Sequence, residues 1–309
     1  DDELRGTSGE MRLEFVTGKE NKICNDHPFP NLLFFYRVPN VWYVAPNSYF
    51  SHDEAATDGL DIAPFLTLEE AIEQASSHDV LLLYPGRFDT NGLAITKPLN
   101  FRSVSGSDYT ILDGQGSSRL FKIKAFGDVV FEGLTFVNGY TAESGGAMQI
   151  QMGDVLVQDC VFSENTATTN GGAIKVRQPA SLQLVRVAFK EGYAMSGAAI
   201  YANSVSIKVQ NCTFSKNIAS MEGGAIFLKS TLASQLRATF DKVQFYSNEA
   251  SNGGAIYVED NCQLQLDSGT FTDNSAIGAF GGAIVLSGAT TASFSNFTAS
   301  GNTALLGSV

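Results

Sequence analysis

The chain has 309 residues, 44% of them hydrophobic and 17% charged, with 30 glycines, 8 prolines and a net charge of −12. That is too apolar for disorder and long enough for a large core, and an acidic chain without visible Lys/Arg patches excludes a nucleic-acid partner. No apolar run approaches the ~20 residues of a bilayer span; the longest, Leu32 to Tyr36, stops at Arg37, so no transmembrane segment is expected.

In chain order, the opening Asp1-Asp2-Glu3 is no signal peptide and there is no initiator Met, which reads as a chain whose signal has been removed. Residues 1–40 carry no repeat and are assigned to an N-terminal extension. Residues 41–309 are assigned to one solenoid, with the cap and first coils over 41–124 and the regular repeats over 125–309. The acidic stretch Asp53 to Asp61 lacks calcium-loop spacing and reads as a solvated loop. Thr67-Leu68-Glu69-Glu70 is a capping box, followed by Ala71, Ile72 and Ala75 on one face. It predicts a short helix over 68–76, placed to cover the first coil.

From there a repeat dominates. Gly-Gly-Ala-Ile or a near copy begins at Gly145, Gly171, Gly197, Gly223, Gly253 and Gly281, at intervals of 26, 26, 26, 30 and 28 residues. Phe-x-x-Asn interleaves with it at Phe162, Phe214, Phe245 and Phe271, with degenerate copies at Phe136 and Phe189. Each period holds two alternating strand patterns and no helical one, so a βαβ sheet is excluded. Strands recurring in this way fit coils stacked ~4.8 Å apart. Glycine supplies corners with positive φ. The Asn is expected to take a left-handed turn conformation and to stack into a ladder. Cys160 and Cys212, two residues before the Phe, are expected in the core, roughly 9–10 Å apart and beyond disulfide reach; Cys24 and Cys262 are not placed by the pattern.

The interleaved tetrapeptides resemble the repeats of the polymorphic outer membrane proteins, a family of surface adhesins and autotransporter passengers. The stretch from Trp42-Tyr43-Val44-Ala45-Pro46 to Leu83-Tyr84-Pro85-Gly86 is similar to the opening of many pectin-lyase-like β-helices. The resemblance implies an all-β, right-handed single-stranded parallel β-helix, extracellular or at the cell surface. It also implies a non-catalytic structural or adhesive role, with other proteins, further copies of the chain, or glycans as partners.

The alternative is a carbohydrate-active enzyme of the pectin-lyase-like class. Its Asn-Thr-Asp, Asp-Asp, Gly-His-Gly and Arg-Ile-Lys motifs are not found, and His27, His52 and His78 all precede the repeats. No catalytic residue and no cofactor is assigned. One weak metal candidate is the pair Asp241 and Asp267, four residues before the Phe on successive coils and outward-pointing. Strand parity turns Gln149, Lys175, Tyr201, Phe227, Tyr257 and Val285 outward; the last four form an apolar stripe proposed as an interface, unless a loop from 228–240 covers it. The sequons at Asn211 and Asn296 fall in an outward row with Asp159, Arg186 and Lys242 and are candidate glycosylation sites. The last residues lead towards another Gly-Gly-Ala-Ile without a cap, so further sequence or a docked partner is expected there.

Overall fold

In the computed structural model, the residues described are 38–46, 59–61, 63–231 and 236–305. The extension up to residue 37, Cys24, His27, His52, most of the acidic stretch, the tip of the 228–240 loop and the final four residues lie outside them.

The chain is a parallel β-helix, and the coil beginning at Met148 shows how the sequence makes it. The strand Met148–Gln158 buries Met148, Ile150, Val155 and Val157 and turns the intervening residues outward. It bends at Gly153, where φ is +106°. Asp159 then takes φ 53° and turns the chain into Val161–Ser163; Glu164 takes φ 55° and turns it again into Thr166–Ala167. Gly171, at φ 66°, opens the strand Ile174–Arg177 of the next coil. Left-handed corners thus punctuate each coil, and only the last is held by the first glycine of Gly-Gly-Ala-Ile.

The second glycine has another task. A Cβ on Gly172 would sit 2.3 Å from the Ala198 carbonyl oxygen, and one on Gly224 would sit 2.1 Å from that of Gly254. Glycine is required there because the backbone of the next coil passes through the space of a side chain. Ala198 occupies the equivalent position in a coil whose preceding turn is one residue shorter, with a register shift between Ala194 and Ser196.

Every coil pairs in parallel with the next and in phase. Ile174, Ile200, Ile226, Ile256 and Ile284 form one inward column. Phe136, Phe162, Phe189, Phe214, Phe245 and Phe271 form another, with neighbouring rings 4.5–5.0 Å apart and within 12° of parallel. Offset or edge-on pairs are the intrinsic preference of aromatic rings. Here the strand spacing imposes face-to-face stacking, and the burial of each ring carries the stabilisation.

The expectation for the Phe-x-x-Asn asparagine is corrected. The left-handed residue is the one before it: Glu164, Lys216, Ser247 and Asp273 have φ between 52° and 55°. The Asn itself is buried and bonds its neighbours. Asn248 Nδ2 donates to Asn274 Oδ1 (2.9 Å) and to the Phe214 carbonyl (3.0 Å), while Asn248 Oδ1 accepts from Asn217 Nδ2 (2.9 Å) and Asn217 N–H (3.1 Å). The ladder therefore exists, and its members satisfy backbone groups of adjacent coils. It is interrupted at Gly192, so Asn165 bonds only backward, to Gly139 N–H (2.9 Å) and the Phe136 carbonyl (2.9 Å).

The helix α1 (Leu68–Gln74) is shorter than the pattern predicts. Thr67 Oγ1 accepts from Glu70 N–H (3.2 Å), and Leu68, Ala71 and Ile72 are buried over the first coil. The first coil is fastened by Asp79, a fully buried carboxylate that sequence reasoning missed. It accepts from Trp42 Nε1 (2.9 Å), Asn40 N–H (2.8 Å) and Ser76 N–H (2.8 Å).

Cys160 and Cys212 are free and buried, as expected, and Cys262 joins them in the core. Leu134 N–H donates to Cys160 Sγ and Val187 N–H to Cys212 Sγ, each at 3.4 Å. Burial pushes the thiols up, to about 12 for Cys160 and about 11 for Cys212. They are packing residues that meet backbone donors, and they carry no thiolate chemistry.

Candidate interaction face

The sheet that follows each Gly-Gly-Ala-Ile turns two side chains per coil to the outside. Its first outward column runs Lys122, Gln149, Lys175, Tyr201, Phe227, Tyr257, Val285. The second holds Arg177, Asn203, Lys229, Glu259 and Ser287, with Lys124 and Gln151 in the earlier coils.

The proposed stripe is thus assembled in one column, but its rings are not laid open. Tyr201 and Phe227 stack at 5.1 Å and Phe227 and Tyr257 at 5.5 Å, both within 4° of parallel. Phe227, sandwiched between the two tyrosines, is only 4% exposed, which corrects its reading as a solvent-facing residue. Tyr201, Tyr257 and Val285 are half-buried. The free face of Tyr201 is covered by Lys175, whose Nζ lies 5.6 Å from the ring centroid. What this stack offers the outside is ring edges on a flat, stiff floor.

Lys175 shows the electrostatics of the adjoining coils. Burial first, then the charges of Arg177 and Arg119, hold its pKa below the ordinary lysine value. Its Nζ donates to Ser144 Oγ (3.0 Å). Arg119 lies at the border of the face, bonding the Gly145 carbonyl (2.9 Å) and the Ser144 carbonyl (2.9 Å) and approaching Glu143 (3.3 Å). Lys229 pairs with Glu259 at 2.9 Å. Lys122, Lys124 and Arg177 are exposed and in no ion pair among the described residues. These cations were missed in the sequence because consecutive members of one column lie a whole coil or more apart along the chain.

The other expected residues fall elsewhere. Asp241 and Asp267 are direct partners on adjacent strands, as the register required. Asp267 accepts from Ser295 Oγ (2.8 Å) and Asn296 Nδ2 (3.0 Å), which hold its carboxyl below the usual value. Among the described residues, no three His, Cys, Asp or Glu side chains gather as a metal-binding group. Asn211 and Asn296 are exposed at left-handed corners with φ 53° and 51°, in one row with Asp159, Arg186 and Lys242. Arg186 forks onto Asp159 through Nε (2.6 Å) and Nη2 (2.7 Å), which holds the Asp159 carboxyl below its usual value.

A family model described as the right handed beta helix region matches residues 111–304, more than half of the chain. The chain belongs to the right-handed β-helix family. Among curated proteins it is similar to the metabotropic glutamate receptor-like protein R of Dictyostelium discoideum, at 27% identity over 80% of this chain and 16% of that one. It is also similar to the probable autotransporter YfaL of Escherichia coli K12, at 29% over 59% of this chain and 16% of that one. A shorter stretch, 26% of this chain and 8% of the other, is 39% identical to the probable outer membrane protein PmpG of Chlamydia muridarum. The chain therefore spans less than a fifth of the length of these relatives. Among solved structures, pectate lyase Pel9A aligns with 84% of this chain and 78% of its own at 12% identity and a TM-score of 0.43. No helix among the described residues is long and apolar enough to cross a membrane.

Proposed function

We propose that the chain is a non-catalytic structural or adhesive rod of a cell-surface or secreted assembly. It engages partner proteins, further copies of itself, or glycans through the sheet face that carries Tyr201, Phe227, Tyr257 and Val285. The observation that carries this reading is the division of labour within the coil. The repeated Gly, Ala, Ile, Phe and Asn residues all serve corners, core columns or the buried ladder. The face beside the aromatic stack varies from coil to coil and presents polar and apolar groups along the rod, as solenoid binding faces do.

The ionisable groups point the same way. Asp113, Asp159 and Asp267 are all held on the ionised side, where a general acid for glycoside chemistry would be raised. The resemblance to autotransporter and outer membrane proteins supports the surface location. Asn211, exposed at its corner, is the better placed of the two glycan acceptors; Asn296 would forfeit its bond to Asp267 on modification.

The test is the variant Tyr201→Ser/Tyr257→Ser, which clears the edge of the stack and leaves buried Phe227 in place. Loss of self-assembly or partner binding with unchanged circular dichroism is expected; unchanged assembly and binding refutes the role of the stripe. Reproducible bond cleavage on incubation with pectin, alginate and related polysaccharides would overturn the non-catalytic reading in favour of an enzyme.

A further inference from the structure

The protein as a whole carries 32 acidic and 20 basic residues, yet one stretch of its surface has the opposite sign. On the sheet face described above, the outward positions over the coils from Lys122 to Arg177 are filled by Lys122, Lys124, Gln149, Gln151, Lys175 and Arg177, with no carboxylate among them. The nearest acid at the border, Glu143, is already engaged by Arg119. Four cations in an acidic protein, three of them fully exposed and none in an ion pair among the described residues, are a charge pattern that stability does not require. Like charges on one sheet face repel, and the depressed pKa of Lys175 records that repulsion as well as its burial.

Their arrangement is linear. Lys122 and Lys175 lie two coils apart in one column, about 9–10 Å by the strand spacing, and Lys124 and Arg177 repeat the interval beside them. The interposed coil supplies Gln149 and Gln151, whose amides are linked to one another (2.9 Å) and retain further donors and acceptors for hydroxyls. Along the rod axis the face continues into Tyr201 and Asn203, where the covered rings give a floor and a phenol rather than an open stacking platform.

We propose that this face, over the coils from Lys122 to Tyr201, binds a linear anionic polysaccharide, its carboxylate or sulfate groups on the lysine and arginine columns and its hydroxyls on the glutamines. The inference deepens the proposed function by naming the class of glycan, and it rests on that reading. Charge complementarity commits the face to a polyanion, and its neutral amides and the net charge of −12 favour a glycan over a nucleic acid, which the rest of the acidic surface would repel.

The experiment measures binding of the full chain to a size-defined heparin fragment, to polygalacturonate, to neutral dextran and to single-stranded DNA, at low and raised salt. Salt-sensitive binding to one or both anionic glycans and none to dextran is expected; which of the two binds identifies the anion as sulfate or carboxylate. The variant Lys122→Gln/Lys124→Gln/Arg177→Gln alters only exposed side chains and should lower affinity on the order of tenfold, a few-fold per cation. Lys208→Gln/Arg237→Gln, on the neighbouring sheet, should bind like the parent. Absence of binding to both polyanions, an equal loss in the control variant, or DNA binding as tight as glycan binding would each overturn the proposal. Binding without cleavage keeps both readings, no binding and no cleavage removes this one alone, and binding with cleavage removes only the non-catalytic reading.

Discussion

Removing one rung of the asparagine ladder tests whether buried side-chain amides hold the coils together. Asn248→Ala deletes the acceptor of Asn217 N–H and Asn217 Nδ2 and the donor to the Phe214 carbonyl, at a site with 0% exposure. Three polar groups are then left without partners where water has no access. At about 1–3 kcal/mol for each, reduced by relaxation of the neighbouring coils, the loss should be about 3–6 kcal/mol. Asn165→Ala is the internal comparison. It is equally buried but orphans only two groups, Gly139 N–H and the Phe136 carbonyl, and should cost about 2–4 kcal/mol. The assay is urea unfolding followed by far-ultraviolet circular dichroism and, separately, by the fluorescence of Trp42, the single tryptophan, which reports the first coil. Coincident curves license a single free energy, and separated ones show that the coils unfold in sections. A cost below about 1 kcal/mol for Asn248→Ala, or one no greater than that of Asn165→Ala, would refute the claim that unsatisfied groups set the penalty.

Gly224→Ala should cost about 3 kcal/mol or more, because the new Cβ meets the Gly254 carbonyl oxygen at 2.1 Å and that of Glu249 at 2.7 Å, both backbone atoms. At the equivalent position in the shortened coil, Ala198→Gly should cost only about 1 kcal/mol, and thermal melts of the two variants check the contrast. Phe227→Ala should destabilise by about 3–5 kcal/mol in the same melts, as expected for a buried ring and not for a surface anchor. Acid should weaken the fold through Asp113. Burial opposes its ionisation, but donors from Gln115, Asn138 and Arg87 more than offset this and hold its pKa below 3.8. A carboxyl depressed in the folded state contributes stability that is present above its unfolded value and lost as the pH falls through the folded one. Asp113→Asn should therefore flatten the fall in melting temperature below about pH 4, and an unchanged slope would exclude Asp113 as its source.

The parts of the fold that the sequence displays are those that repeat in register. Gly-Gly-Ala-Ile announces a corner, a close approach and an inward column. Phe-x-x-Asn announces the stacked rings and the ladder, because one coil's solution recurs about every 26 residues. What escapes is whatever depends on a neighbour outside the repeat. The left-handed residue before each Asn is Glu164, Lys216, Ser247 or Asp273, and no residue preference marks that position, since the corner geometry of the stacked coils imposes it. Asp79 escapes for a different reason. An aspartate ahead of a strand reads as surface, and only the fold brings Trp42, Asn40 and Ser76 around it.

The outward face shows why site and fold differ in legibility. Period-two parity places Tyr201, Phe227, Tyr257 and Val285 in one column, and the structure keeps them there. Parity says which way a side chain leaves the strand, but not what lies on either side of it one coil away. Strand spacing puts aromatic neighbours at stacking distance, so three successive rings bury the middle one whatever the parity. The same spacing gathers Lys122, Lys124, Lys175 and Arg177, separated by up to 55 residues, into a patch that no window along the sequence contains. In a solenoid the binding surface is written across coils, so the residues that vary from coil to coil, read down the columns, carry the functional information that the conspicuous repeat does not.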